Sequence, residues 1–254
     1  ERCFMIYKFL FILAISLSHV YGYTIKAIVK LEKNNHHIKV THNNNTIEVI
    51  NQDTSQYWEE DIETFLIKPQ NKPHKTNQPP IDLIIELEKG IKDIQNHKFT
   101  HIKHLKSITI NSIEEIKIGD FFITNCKNLT SISIPNAVTI GRGFAEECIN
   151  LTTINLPKAH IIGEAFGVGI GATTINLPAA TKIGLSFCLS SPHLKTVHLP
   201  SAAKVGIDFA TILDPSMDRS KKVFVRIKKS IFDALESNRP LIWLSGLSFF
   251  AWGT

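Results

Sequence analysis

LTSISIPNAVTIGRGFAEEC, residues Leu129 to Cys148, is the stretch that decides the fold. Leu129, Ile132 and Ile134 face an interior, while Thr130, Ser131 and Ser133 form the exposed side of a short strand. Pro135 has no N–H to continue a ladder and ends that strand. Val138 and Ile140 return apolar surface to the opposite wall, and Gly141 turns the chain. Phe144 fills the interior ahead of a short helical or 3₁₀ segment ending near Cys148. One such coil cannot bury both of its walls, so it requires neighbours of the same shape.

Those neighbours lie on either side in the sequence. Gly119, Gly141, Gly163, Gly184 and Gly206 recur at spacings of 22, 22, 21 and 22. Phe122, Phe144, Phe166, Phe187 and Phe209 follow each glycine by three residues. A second column holds the words HLKSITIN, NLTSISIP, NLTTINLP, GATTINLP and HLKTVHLP. A period of 20 to 29 residues with an L-x-x-I-x-I core is the signature of a leucine-rich-repeat solenoid. The expected fold class is therefore a β-rich α/β solenoid, a right-handed array with short convex helices or 3₁₀ turns. Its parallel strands are expected at 105–110, 129–134, 151–156, 172–177 and 194–199, with the phenylalanines stacked as an interior column.

The residues resemble the BspA-type leucine-rich repeats of secreted and surface proteins, whose repeat word is close to L-x-S-I-x-I-P-x-x-V-x-x-I-G-x-x-A-F-x-x-C. LTSISIPNAVTIGRGFAEEC follows that word with one residue fewer between Val138 and Ile140. The likeness covers roughly residues 100 to 213. GIKDIQNHKFTHI, from Gly90, looks like a degenerate leading coil, and KKVFVRIKKSIFDAL, from Lys221, resembles a closing strand and helix. Departures are Asn111 for the proline, Ala172 for the first leucine, and Ile170 and Ser191 for the cysteine. The resemblance implies a protein associated with adhesion and host interaction.

Outside the array the pattern changes. From Met5 the chain shows one cation at Lys8, an apolar run from Phe9 to Leu17, and Val20 and Gly22 ahead of an expected cleavage point, the layout of a secretory signal peptide over 1–22. Glu1 to Phe4 read as an upstream remnant. YTIKAIVKL, HHIKVTH and TIEVI then read as short strands of a small β-rich cap or N-terminal domain over 23–89, with a Pro- and Asn-rich linker near 69–80. The array with its closing strand and helix is expected over 90–235. An apolar tail over 236–254 is too short to span a bilayer, so the mature chain is expected to have no transmembrane helix.

Charge and chemistry exclude several classes. The 254 residues carry a net charge of +5 with no strongly basic segment. The nearest nucleic-acid candidate, Arg219 to Lys229 around Phe224, reads as a solvated edge, so no nucleic-acid partner is assigned. Cys126 and Cys148 each follow a phenylalanine by four residues and read as buried thiols, as does Cys188, with a Cys126–Cys148 bridge open in an oxidising compartment. GVGIG, from Gly167, follows the Phe166 turn instead of a strand and so is a convex connection, not a dinucleotide loop. GLSFC around Ser186 lacks the closing glycine of a nucleophile elbow. His97, His101 and His104 lack a neighbouring cysteine or an H-E-x-x-H pattern. No catalytic residue, cofactor or metal site is assigned, and the protein reads as a non-enzyme.

What remains is a binding module, secreted or at the cell surface, taking an extracellular protein or glycan. The alternative is a structural, self-associating surface-layer component. The contacts would come from the outward strand positions: Thr109, Ser133, Asn155, Asn176 and His198 in one row, with Ser107, Ser131, Thr153, Thr174 and Thr196 beside it. Sequons stand at Asn44, Asn128 and Asn150.

Overall fold

The computed structural model describes residues 23–32, 35–42, 45–51, 59, 62, 80–206, 223–228 and 247–252. The signal peptide, the linker near 69–80, Phe209 and the helix of the closing segment lie outside them.

Each coil lays one strand on a front sheet and one on a back sheet. The front strands are β4 (Ile81–Leu87), β6 (Leu105–Ser112), β8 (Ser131–Ser133), β10 (Thr153–Asn155), β12 (Thr174–Asn176) and β14 (Thr196–His198). The back strands are β5 (Asp93–Ile94), β7 (Ile116–Ile118), β9 (Ala137–Ile140), β11 (Ile161–Ile162), β13 (Lys182–Ile183) and β15 (Lys204–Val205). All ladders between these coils are parallel, as the repeat words require. The front strands are shorter than the words that predict them because Pro135, Pro157, Pro178 and Pro200 stop each ladder.

The front sheet continues past the array at both ends. At the start, β1 (Tyr23–Glu32) runs parallel to β4 and antiparallel to β2 (Asn35–His42), which pairs with β3 (Asn45–Asn51). At the far end, β16 (Val223–Lys228) runs parallel to β14, and β17 (Leu247–Trp252), drawn from the apolar tail, runs parallel to β16. On the back side, the Gln95 N–H of the first coil donates to the buried Glu59 carboxylate at 3.0 Å, and Ile62 joins the core. The back edge of the first coil therefore meets a polar partner in Glu59.

The convex connections differ from expectation. Between 95 and 206 no helix forms; the third wall is built of turns in which alternate residues take positive φ. Phe121, Ile123 and Asn125 do so in the second coil, Gly143, Ala145 and Glu147 in the third, and Ala165, Gly167 and Gly169 in the fourth. Their N–H groups bond across coils: Ala145 donates back to Phe122 at 3.1 Å, while Gly143 and Glu147 donate forward to Glu164 and Val168 at 2.8 Å each. A helix would turn these groups along its own axis, so bonding between coils and helix formation exclude one another here.

The interior is a column of rings. Phe99, Phe122, Phe144, Phe166 and Phe187 are fully buried, and from Phe122 onward the rings stack with centroids 5.9, 5.3 and 5.2 Å apart. Phe99 meets Phe122 edge-on at 78°. Its coil is offset from the next by 24 residues, as Asp93 opposite Lys117 shows, so Phe99 lies in the row of Ile123 and its ring enters from the adjacent position.

One ladder is interrupted. β10 ends one front sheet and β12 begins another. The coil between them is one residue short, and Gly171 presses on its predecessor: a Cβ there would lie 2.3 Å from the Ile149 carbonyl oxygen. The back sheet runs unbroken through β9, β11 and β13 across the same step.

Candidate binding face

The front strands alternate inward and outward because each pairs Ile or Val with two flanking polar residues. Ile108, Ile132, Ile175 and Val197 are buried, and Ile154 packs partly buried against the same core. Ser107, Thr109, Ser131, Ser133, Thr196 and His198 are half-buried on the outer side, and Thr153, Asn155, Thr174 and Asn176 are exposed. The ladder aligns Ser107 with Ser131 and Thr153, and Thr109 with Ser133 and Asn155. Beyond the break it aligns Thr174 with Thr196 and Asn176 with His198.

Several of these side chains bond to the next coil. Asn155 Nδ2 donates to Ser133 Oγ at 2.9 Å, and His198 Nδ1 lies 3.1 Å from Asn176 Oδ1. The rows extend into the first coil, where Ser107 donates to the Asp82 carboxylate and Asn111 Nδ2 to Glu86 at 3.2 Å. The face thus presents hydroxyls and amides partly locked by their neighbours, with carboxylates at its N-terminal end, a feature the repeat words omit because β4 lacks them.

The cysteines belong to the interior. Cys126, Cys148 and Cys188 are buried free thiols. Cys126 Sγ donates to the Phe99 carbonyl at 3.1 Å and Cys148 Sγ to the Ile123 carbonyl at 3.0 Å. Ser191, in the same column, donates its hydroxyl to Gly167 at 3.0 Å, so the departure from cysteine keeps the bond. The neighbouring Cys126 thiol and then burial hold the Cys148 thiol well above its ordinary value, and burial alone raises Cys188. Both stay protonated in the fold and are poor nucleophiles.

Their bonds predict a mutational contrast. Cys148→Ala leaves the Ile123 carbonyl without its donor and is expected to cost about 1–2 kcal/mol, with Cys148→Ser costing less, as judged by urea denaturation. A folded pKa raised above the unfolded one adds stability that is complete below the unfolded value, here 9.0, and is lost as pH rises beyond it. The parent's denaturation midpoint should therefore fall above about pH 9, and fall less in Cys188→Ala.

Other candidates disperse. Gly167 and Gly169 hold positive-φ positions in the third wall, which is the convex connection expected of GVGIG. His97 stacks on Phe121 at 4.9 Å, and His101 bonds through its N–H to Thr124. Among the described residues no group of three or more His, Cys, Asp or Glu side chains is placed to hold a metal ion, and no helix is long and apolar enough to cross a membrane. Asn128 and Asn150 donate their side-chain amides to the Lys103 and Lys127 carbonyls, both at 2.7 Å, so these sequon residues serve the inter-coil ladder.

Neither a curated protein nor a solved structure matches the chain. A model of the BspA type leucine rich repeat region matches residues 83–195 in six copies. That range opens within β4, takes in the front strands through β12 and ends at the residue before β14. Residues 83–195 thus match the BspA-type leucine-rich repeats, a family that suggests a protein-binding or surface role.

Proposed function

We propose that the front sheet binds an extracellular protein or glycan through its two outward rows, and that the chain serves adhesion or host interaction from a secreted or cell-surface position. The observation that carries this reading is the face itself: ten Ser, Thr, Asn and His side chains on five coils, held in register by the ladder within two blocks, β6 to β10 and β12 to β14, and by cross-coil bonds such as Asn155 to Ser133. Paired parallel strands step by ~4.8 Å, so each block offers hydrogen-bonding groups at a fixed pitch, across three strands before the break and two after it. Preorganised groups of this kind lose little entropy when a partner settles on them. The signal-peptide layout of residues 1–22 and the family's association with surface proteins support the location.

The test is a screen of the mature chain against extracellular-matrix proteins and surface glycans, followed by affinity measurements on any hit. The rows carry almost no charge, so the parent's affinity should depend weakly on salt. Changing both Asn155 and Asn176 to Lys should weaken binding by about tenfold or more by adding charge and bulk to the contact. Unchanged affinity in the double variant, or a steep salt dependence in the parent for that ligand, places the site elsewhere. Solution mass across a concentration series separates this reading from a self-associating surface layer, which would grow with concentration.

A further inference from the structure

Where the front ladder is intact, backbone, hydroxyl and amide bonds all cross from coil to coil. The Thr152 and Thr153 N–H groups donate to the Thr130 carbonyl at 3.0 and 3.1 Å, and those of Lys195 and Thr196 to the Thr173 carbonyl at 2.8 and 3.1 Å. The Ile134 N–H donates to Asn155 at 3.0 Å and the Leu177 N–H to His198 at 3.1 Å. The Thr152 hydroxyl adds a bond to the Thr130 carbonyl at 3.2 Å, and Asn155 reaches Ser133. Between the fourth and fifth coils, from β10 to β12, every one of these bonds lacks its counterpart among the described residues. The Thr173 and Thr174 N–H groups and the Thr173 hydroxyl make no bond to the Thr152 carbonyl, the Leu156 N–H makes none to Asn176, and no side-chain bond joins Asn155 to Asn176.

The missing bonds leave an opening in the face. Thr152, Thr153, Asn155, Thr173, Thr174 and Asn176 are exposed, whereas Thr130, Ser131, Ser133, Thr196 and His198, their equivalents on paired steps, are half-buried. Ile154, at the base, is only partly buried, while Ile132 and Ile175 on either side are fully so. Both ends of the opening are closed. At one end a Cβ on Gly171 would collide with the Ile149 carbonyl; at the other the Thr181 N–H donates to the His160 carbonyl at 2.8 Å. The result is a slot one strand long. Cα atoms of β10 and β12 still come within 8 Å of each other, and a peptide strand paired to both walls would need about 9.6 Å, twice the ladder spacing.

We propose that this slot binds a neutral oligosaccharide through adjacent ring hydroxyls, an assignment that rests on the front sheet being the binding face. A hydroxyl both donates and accepts. One sugar hydroxyl can therefore accept from the Thr174 N–H while donating to the Thr152 carbonyl, restoring across the slot the bond that the ladder lacks. Asn155 and Asn176 supply further donors and acceptors at the rim, and Ile154 offers an apolar base to the C–H side of a ring. The side chains bordering the slot carry no charge. Lys158 Nζ is bonded to Asn136 Oδ1 at 2.8 Å, and Lys195 is the first cation in the Thr173 column, one coil on. A polyanion would therefore find little to neutralise it here, and an added peptide strand does not fit.

The experiment uses the full chain from a host that does not glycosylate asparagine, because Asn150 is two residues from Thr152. The probes are hexasaccharides of glucose, mannose, galactose and N-acetylglucosamine, with a heparin hexasaccharide as the charged comparison. At least one neutral probe should bind, more tightly than heparin. Changing Thr153 and Thr173 together to Val should weaken it about tenfold, whereas Thr139→Val on the back sheet should alter affinity less than about twofold. Unfolding midpoints matching the parent's make the lost affinity report the site. Hydrogen exchange on the parent gives a second reading that needs no variant. Without sugar, the Thr173 and Thr174 amides should exchange faster than those of Thr152 and Thr153, and saturating sugar should slow them about tenfold. No binding by any neutral probe, tighter binding of heparin, equal loss in the two variants, or unchanged exchange at Thr173 and Thr174 in the complex overturns the proposal. If the sugars fail while a matrix protein binds and is lost in the Asn155 and Asn176 double variant, the front face stands without this assignment; if both fail, the front face falls too.

Discussion

Phe166→Ala is expected to lower the stability of the array by about 3–5 kcal/mol, the cost of removing a large buried ring and leaving a cavity. Phe166 is fully buried and lies between Phe144 and Phe187, with ring centroids 5.3 and 5.2 Å away and planes within 5° and 6° of parallel. Its position matters beyond its volume. The front ladder is broken between β10 and β12, so the fourth and fifth coils are joined by the back ladder, the third-wall bonds and this stack. A solenoid's cooperativity rests on contacts between adjacent coils, and the truncation removes one exactly where another is already missing. Urea denaturation should show a lower midpoint and a reduced m-value, as the two halves begin to unfold separately. Phe122→Ala, where the front ladder is intact, should lower the midpoint with the m-value preserved. A loss below about 1 kcal/mol in Phe166→Ala would mean that the column is not a packed element of the core.

The array was legible because its two strongest constraints are written once per coil. A ring every 22 residues and an alternating strand word bounded by proline leave a parallel stack as the way to bury both walls, and Phe122 to Phe187 and the five front strands lie where those words put them. The convex wall was not legible, because its conformation depends on hydrogen bonds to residues a full coil away. Nothing in GFAEEC marks Ala145 and Glu147 for positive φ; the marks are the Phe122 and Val168 carbonyls, distant in sequence. The break beside β12 had a trace in the 21-residue spacing and in Ala172. The acidic end of the front face was missed because Asp82 and Glu86 lie in a strand without the repeat word, and only its register with β6 brings them beside Ser107 and Asn111.

Gly163→Ala should be nearly as damaging as loss of a ring, although it adds a single methyl group. A Cβ on Gly163 would lie 2.5 Å from the Gly141 carbonyl carbon, 2.6 Å from its oxygen and 2.7 Å from the Arg142 nitrogen. All three are backbone atoms, and the Gly163 N–H is itself bonded to Ile140 at 2.8 Å while Gly184 bonds on to Ile162 at 2.9 Å. No flexible side chain can yield, so the coils must separate at this corner and stretch both bonds. A cost of at least about 3 kcal/mol is expected, at the upper end for overpacking, because what must move is the ladder itself. Gly163 does not have a positive φ, so backbone strain is not the cause. Gly169→Ala provides the contrast: φ there is +69°, but the nearest atom to a Cβ is the Glu147 carboxylate oxygen at 3.1 Å, the end of a mobile side chain. That variant should cost about 1–2 kcal/mol from the left-handed backbone alone. Gln95 occupies the same column in the first coil, where no preceding coil lies among the described residues, and a side chain is accommodated there. Urea midpoints for the two alanine variants decide the matter: if Gly169→Ala is the more damaging, backbone conformation and not close approach explains the glycine column.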